Sequence, residues 1–278
     1  MRRRAFLATG ITGFVAAGLG GCLGRSGESD DDGGGSDAAG TDATDGYAPA
    51  RIENPDRRSI DTRSFETVVQ DGIEVPLAPI DATYYWYARR EARFVDVRSD
   101  AEYEQSHVLG AVLSPAPDGG PSDPVEEWPE ADRIVCYCGC PHHLSSMRAA
   151  DLLSSGYENV FVIDEGFWEW HDREYPMAGS KTTSQPKLRT VRGLTRPAFA
   201  GRTAWVSHEP TDQREAAPIE PDGSYHLDVR FVGVTADSPL SLRTPEYTIT
   251  APLSDLTGRI VTANSRSLSR TRRRTDRE

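Results

Sequence analysis

At 278 residues the chain has room for two modest domains, because domains commonly run to about 100–150 residues. Its net charge of −12 excludes unspecific binding to nucleic acid, which needs a basic surface to neutralise phosphates. Besides Cys22, the cysteines stand at 136, 138 and 140, and residues at i and i+2 of a strand hardly reach one another in disulfide geometry, so the cluster reads as a site and not as a disulfide framework.

In chain order, Met1-Arg2-Arg3-Arg4-Ala5-Phe6-Leu7 reads as a twin-arginine export signal. The apolar stretch 11–19 that follows is too short to remain in a bilayer as a spanning helix. Leu19-Gly20-Gly21-Cys22 resembles a lipobox, which implies that 1–22 is a signal peptide and that Cys22 is acylated on its thiol and becomes the new N-terminus. The protein is then expected at the outer face of the cytoplasmic membrane, held by lipid. Residues 24–45 are almost wholly Gly, Ser, Asp, Glu, Ala and Thr, which bury too little apolar surface to fold; with the polar stretch after them they make an acidic tether and linker over 23–64. Lysine occurs only at 181 and 187 beside abundant arginine and acids. That balance resembles exported lipoproteins of halophilic archaea and concerns solubility in high salt, not fold.

Regular structure is predicted from 65–77 onward. A helix over 82–90, an apolar strand at 93–97, a short helix at 101–105 and a short strand at 111–113 lead into a loop rich in Pro, Gly and Asp. The strand 134–138, the helix 144–155, the strand 159–163 and an aromatic helix at 167–174 follow. Strands alternating with helices predict a parallel α/β sheet, and their near-continuous apolar character places helices on both faces. After Tyr175-Pro176-Met177 and a linker over 179–192, the segments 203–206, 225–231, 240–242 and 247–249 are alternating or rich in β-branched and aromatic residues, with Pro221-Asp222-Gly223 as a turn. They predict a small all-β, sandwich-like domain over 193–262, in which His208 and His226 are ordinary strand or surface residues. The basic run 266–277 reads as a solvated tail within 263–278.

Asp96-Val97-Arg98, Glu102-Tyr103, His107-Val108-Leu109-Gly110-Ala111, the strand ending in Tyr137-Cys138, and the run 160–170 closed by Tyr175-Pro176-Met177 stand in the order of the motifs of a rhodanese-like domain. The stretch 73–177 resembles one such domain, bounded at 65–178. The resemblance implies a parallel sheet flanked by helices and a catalytic cysteine at the carboxyl end of a central strand, opening a loop that wraps into the next helix. It implies that the thiolate takes sulfane sulfur from a small donor such as thiosulfate, carries it as a persulfide and passes it to a thiol or cyanide-like acceptor, with no cofactor. Loop N–H groups and a helix N-terminus suit that task, since they bring a cysteine pKa down from about 8.5 toward neutrality.

The loop departs from the family pattern of a cysteine, four residues and an arginine. It reads Cys138-Gly139-Cys140-Pro141-His142-His143-Leu144-Ser145, a "YC-x-CP" variant with serine at the arginine position when counted from Cys140. Counting from the strand makes Cys138 the nucleophile; counting back from the helix makes it Cys140. Cys138 is preferred because it ends the apolar strand, where open α/β sheets bind ligands, whereas Pro141 holds Cys140 extended and removes one loop N–H. Gly139, His142, His143, Ser145 and Arg148 are the candidate donor-binding residues, with His142, His143 and Arg148 standing in for the absent arginine. Cys136 reads as a small buried hydrophobe, Asp96 and Arg98 as structural, and Phe167, Trp168 and Trp170 as core. Cys138, Cys140, His142 and His143 also offer metal donors, but all in one short loop, whereas closed zinc sites draw on two separated pairs; no metal is expected. The alternative function is a catalytically inactive rhodanese fold that docks a surface partner.

Overall fold

A computed structural model describes residues 45–267, which all fall in one compact unit. The signal segment, Cys22, residues 23–44 of the tether and nearly all of the basic tail lie outside the described residues, whereas 45–64, expected as tether and linker, pack on the domain, with Ala48 in the core and the Arg58 N–H donating to the Tyr85 hydroxyl at 2.8 Å. Among the described residues no helix is long and apolar enough to cross a membrane.

The first strands, β1 (Glu66–Gln70) and β2 (Ile73–Ala78), pair antiparallel through Asp71-Gly72. Both turn residues have positive φ, 51° and 84°, as the two-residue hairpin turn that matches strand twist requires. The chain continues through α1 (Ile80–Ala88), β3 (Arg93–Asp96), α2 (Asp100–Gln105), β4 (His107–Val108), β5 (Val112–Leu113), β6 (Arg133–Tyr137), α3 (His143–Ser154), β7 (Asn159–Ile163), α4 (Phe167–Asp172) and β8 (Met177–Ala178). Ser99 caps α2 in a reciprocal capping box with Glu102. The main sheet has the order β1-β2-β7-β6-β3-β5, in which β2, β7, β6, β3 and β5 run parallel. The parallel α/β sheet predicted from the sequence is thus present, with one antiparallel edge strand added because a two-residue turn cannot make a crossover.

Alternation along β6 sorts its side chains onto two faces. Ile134 and Cys136, with Cys138 beyond the strand end, join Val95, Leu144 and Val162 in the core on the α3 side. Val135 and Tyr137 join Tyr87, Phe94, Phe167 and Trp170 on the other side. Cys136 and Trp170 are fully buried core residues, as their sequence reading has it.

The remaining chain forms β9 (Arg189–Leu194), β10 (Thr203–His208), β11 (Gln213–Pro218), β12 (Ser224–Val229), β13 (Pro239–Arg243), β14 (Thr248–Pro252), α5 (Leu253–Thr257) and β15 (Ile260–Val261). Two sheets, β11-β10-β13-β14 and β12-β9-β15, enclose a core that includes Val191, Val206, Tyr225, Leu227, Leu242 and Ile249. The sequence pattern does not show β9 and β11. Gly193 interrupts β9, where a Cβ would lie 2.0 Å from the Tyr225 hydroxyl, and β11 carries Arg214, Glu215 and Pro218. Strand β11 is the edge of its sheet and the seam of the molecule: Ala217 packs into the β-sheet core and Ala216 into the α3-side core that holds the cysteines.

Candidate active site

The parallel strand β6 ends at Tyr137, so Cys138 sits where the carboxyl edge of the sheet meets the loop. His142, at a φ of 40°, occupies the left-handed region, and the chain there swings into α3, the twelve-residue helix beginning at His143. The loop is held from behind by the Phe167 N–H, which donates to the Cys138 carbonyl at 2.9 Å. That approach requires Gly166, whose φ is 77° and whose added Cβ would lie 2.8 Å from the Cys140 carbonyl oxygen.

The Cys138 Sγ lies 3.3 Å from the Ser145 Oγ and 3.8 Å from the Cys140 Sγ. Burial pushes its pKa up, but hydrogen bonds from the Cys140 thiol, the Ser145 hydroxyl and the N–H groups of Ser145 and Leu144 outweigh burial and bring it to about 7. One contact opposes them: as a thiol, Cys138 donates to the Cys140 carbonyl at 3.0 Å. Cys140 goes the other way, held well above its usual range by its hydrogen bond to Cys138, by burial and by the nearby charge of Glu215. Of the two neighbouring thiols Cys138 is the one favoured as the thiolate, while the single Cys140 proton serves either the Cys138 sulfur at 3.8 Å or the Glu215 carboxyl at 2.9 Å. Cys136 is pushed up to about 12 by burial.

The structure brings only part of the predicted donor-binding set together. Ser145 faces Cys138, and the His143 Nδ1 lies 3.5 Å from the Cys140 Sγ. His143 is held down at about 4 by burial and by His142, despite a hydrogen bond to the Ala216 backbone. His142 turns toward Asp164, 3.8 Å away. Gly139 lies against the Trp168 indole. Arg148 is taken elsewhere: its Nε donates to the Ser114 Oγ at 2.9 Å and its other nitrogens pair with Asp123 and Asp151. Asp96 and Arg98 form a buried bidentate pair, Nε to Oδ1 at 2.9 Å and Nη2 to Oδ2 at 2.6 Å, with the guanidinium 4.1 Å over the Phe167 ring.

Two residues at the site went unread in the sequence. Glu215 on β11 accepts a hydrogen bond from the Cys140 Sγ at 2.9 Å and another from the Ala216 N–H at 3.0 Å. Burial and the charge of Cys138 hold its carboxyl well above the usual range. Arg230, just past β12, lines with Cys140, Glu215, Glu102, Glu165 and Asp228 a cavity of about 150 Å³ beside the loop. The sole local signal for Glu215 is a carboxylate beside Ala216-Ala217 in a short strand.

Residues 83–173 match the family model of the rhodanese-like domain. The thiosulfate sulfurtransferase GlpE of Vibrio cholerae serotype O1 is 26% identical over 102 residues, which are 36% of this chain and 92% of that one. Among solved structures, the chain is similar to a rhodanese-like domain from Anabaena sp., with 21% identity, a TM-score of 0.36, and coverage of 40% of this chain and 85% of that one. It is also similar to a thiosulfate sulfurtransferase from Pseudomonas aeruginosa, at 22% identity and a TM-score of 0.33, with 37% of this chain and 20% of that one covered. The segment that carries β6, the cysteine loop and α3 is therefore a rhodanese-like domain.

Proposed function

We propose that the chain performs sulfurtransferase chemistry and carries sulfane sulfur as a persulfide on Cys138. The observation that carries this reading is the set of donors on one sulfur at the end of β6: the Ser145 hydroxyl at 3.3 Å and the N–H groups of Leu144 and Ser145, an arrangement that favours an anionic sulfur. The named activity of the Vibrio cholerae relative supports the reaction class. In the first half-reaction the Cys138 thiolate attacks the outer sulfur of thiosulfate; the S–S bond of the donor breaks, sulfite leaves with its electron pair, and Cys138 becomes a persulfide. In the second, a thiol or cyanide attacks the terminal sulfur, and the Cys138 thiolate leaves and is regenerated. Cys140 supports the thiolate and Ser145 orients it, and no cofactor takes part in this scheme.

A second reading, a non-catalytic module that docks a partner, draws on the depth of the thiols: Cys138 is 0% exposed and Cys140 7%. Peptide mass spectrometry of the full chain after incubation with thiosulfate or inorganic polysulfide separates the two. The expected result is a single added sulfur on Cys138 that disappears when cyanide is supplied, with thiocyanate formed. No sulfur on any cysteine with either donor would leave the docking module as the function.

Arg230 is the one cationic side chain on a cavity with four carboxylates, and its guanidinium stacks 5.3 Å from the Trp168 ring centroid. A hydrogen bond to a charged group contributes about 1.5–3 kcal/mol, and partial solvent access reduces it. Arg230→Ala is therefore expected to raise KM for thiosulfate about tenfold with kcat nearly unchanged. Steady-state kinetics at constant salt check this, and an unchanged KM would remove Arg230 from donor binding.

A further inference from the structure

Glu215 adds a donor from a distant part of the chain to the cysteine and histidine of the loop. We infer that Cys140, His143 and Glu215 form a binding site for a thiophilic divalent cation of the zinc class. The Cys140 Sγ, the His143 Nδ1 and a Glu215 carboxylate oxygen all lie within 4.8 Å of one another, with 3.5 Å between sulfur and nitrogen and 2.9 Å between sulfur and oxygen. A four-coordinate zinc with bonds of about 2.0–2.3 Å holds its ligand atoms roughly 3.3–3.7 Å apart; the sulfur–nitrogen separation already fits that range, and a small shift of the carboxylate away from the sulfur and toward the imidazole admits the ion. Thiolate, imidazole and carboxylate are together the donor set of zinc, and three protein ligands leave one coordination position open.

Three further features point to a cation. Glu215 is 7% exposed and makes no ion pair with an arginine or lysine among the described residues, so its carboxyl group is left for a cation to take in place of the proton. The cavity that reaches Cys140 and Glu215 also presents Glu102, Glu165 and Asp228 against the single guanidinium of Arg230, a balance that attracts cations. The His143 ring is tied to the Ala216 backbone, the residue next to Glu215, and such an outer hydrogen bond fixes ring orientation in metal sites. The donors come from two separated parts of the chain, the loop and first residue of α3 and strand β11, 75 residues apart at Cys140 and Glu215.

Cys138 is not among the donors, so metal binding is read independently of sulfur loading, although a metal-bound Cys140 no longer donates to the Cys138 sulfur. The test uses the full chain freed of metal with a chelator and titrated with Co²⁺, whose thiolate charge-transfer absorption reports a cysteine ligand, and with Zn²⁺ in competition. One equivalent of Co²⁺ is expected to bind with that absorption and to be displaced by Zn²⁺. Cys140→Ser and Glu215→Gln should each weaken binding at least about tenfold, as changes around metal sites do, while Cys138→Ser and Cys136→Ser retain the wild-type spectrum. Circular dichroism establishes that each variant is folded; if Glu215→Gln does not fold, His143→Ala takes its place. Absence of the thiolate band in the wild type, or wild-type affinity in folded Cys140→Ser, would overturn the site. Loss of sulfur loading with metal binding intact would instead count against the sulfurtransferase reading alone.

Discussion

Replacing Cys138 by serine is expected to abolish sulfur loading and to lower thiosulfate-to-cyanide turnover by more than about a thousandfold, the scale at which removal of a covalent nucleophile is felt. The serine hydroxyl is nearly isosteric and keeps the contacts to Ser145 and the loop, but it does not ionise near neutrality and forms no persulfide. Cys140→Ser exchanges the thiol beside Cys138 and Glu215 for a hydroxyl that still donates, and it leaves the Ser145 hydroxyl and two N–H groups in place, so partial loading is expected. Cys136→Ser puts a hydroxyl into the fully buried α3-side core and should affect stability more than transfer. Single-turnover loading followed by mass spectrometry checks all three. A persulfide found on Cys140 and retained in Cys138→Ser would transfer the nucleophile's role to Cys140.

Asp96→Ala is expected to destabilise the fold by about 3–5 kcal/mol, because it leaves a guanidinium buried without its anion. The Asp96 and Arg98 side chains are 0% and 2% exposed, and Asp96 accepts from the Arg98 Nε, Nη2 and backbone N–H. The Ser106 carbonyl, 2.6 Å from the Arg98 Nη2, the Phe167 and Tyr137 rings and the charge of Glu102 would remain near the cation, none of them paired with it as Asp96 is. For a chain of this size the loss corresponds to a fall in Tm of roughly 6–20 °C. Because the cost comes mainly from the orphaned charge, Asp96→Leu combined with Arg98→Met should be more stable than either single variant. Thermal melts of the four proteins complete the cycle, and additive single effects would show that the two residues do not act as a pair.

The parts of the fold legible in the sequence are those governed by local pattern. The apolar runs at 93–97, 134–138 and 159–163 became β3, β6 and β7 nearly residue for residue, and Cys138 took its place at the end of β6 for that reason. What escaped the sequence depends on contacts between distant segments. Arg148 lies on the helix expected to serve the loop, yet Ser114 and Asp123, 34 and 25 residues earlier, engage it first. Glu215 meets Cys140 across 75 residues, and nothing in the Gln213–Pro218 segment has the period of a strand facing a core on one side only. Its burial is nearly continuous because it serves two cores at once, which erases the alternation that would reveal it.

The seam formed by β11 also sets how any rate at this site is composed. The Cys138 thiol has no exposed surface, so a reagent meets it only in molecules whose packing around the loop, to which Ala216 of β11 contributes, has locally opened, and the observed rate is the intrinsic rate multiplied by that open fraction. Each 1.4 kcal/mol or so of local stability in that edge strand lowers this fraction about tenfold. Solvent conditions and substitutions far from the sulfur that loosen or tighten the edge of the β11-β10-β13-β14 sheet therefore act on turnover as a multiplier, without any change in the chemistry of Cys138.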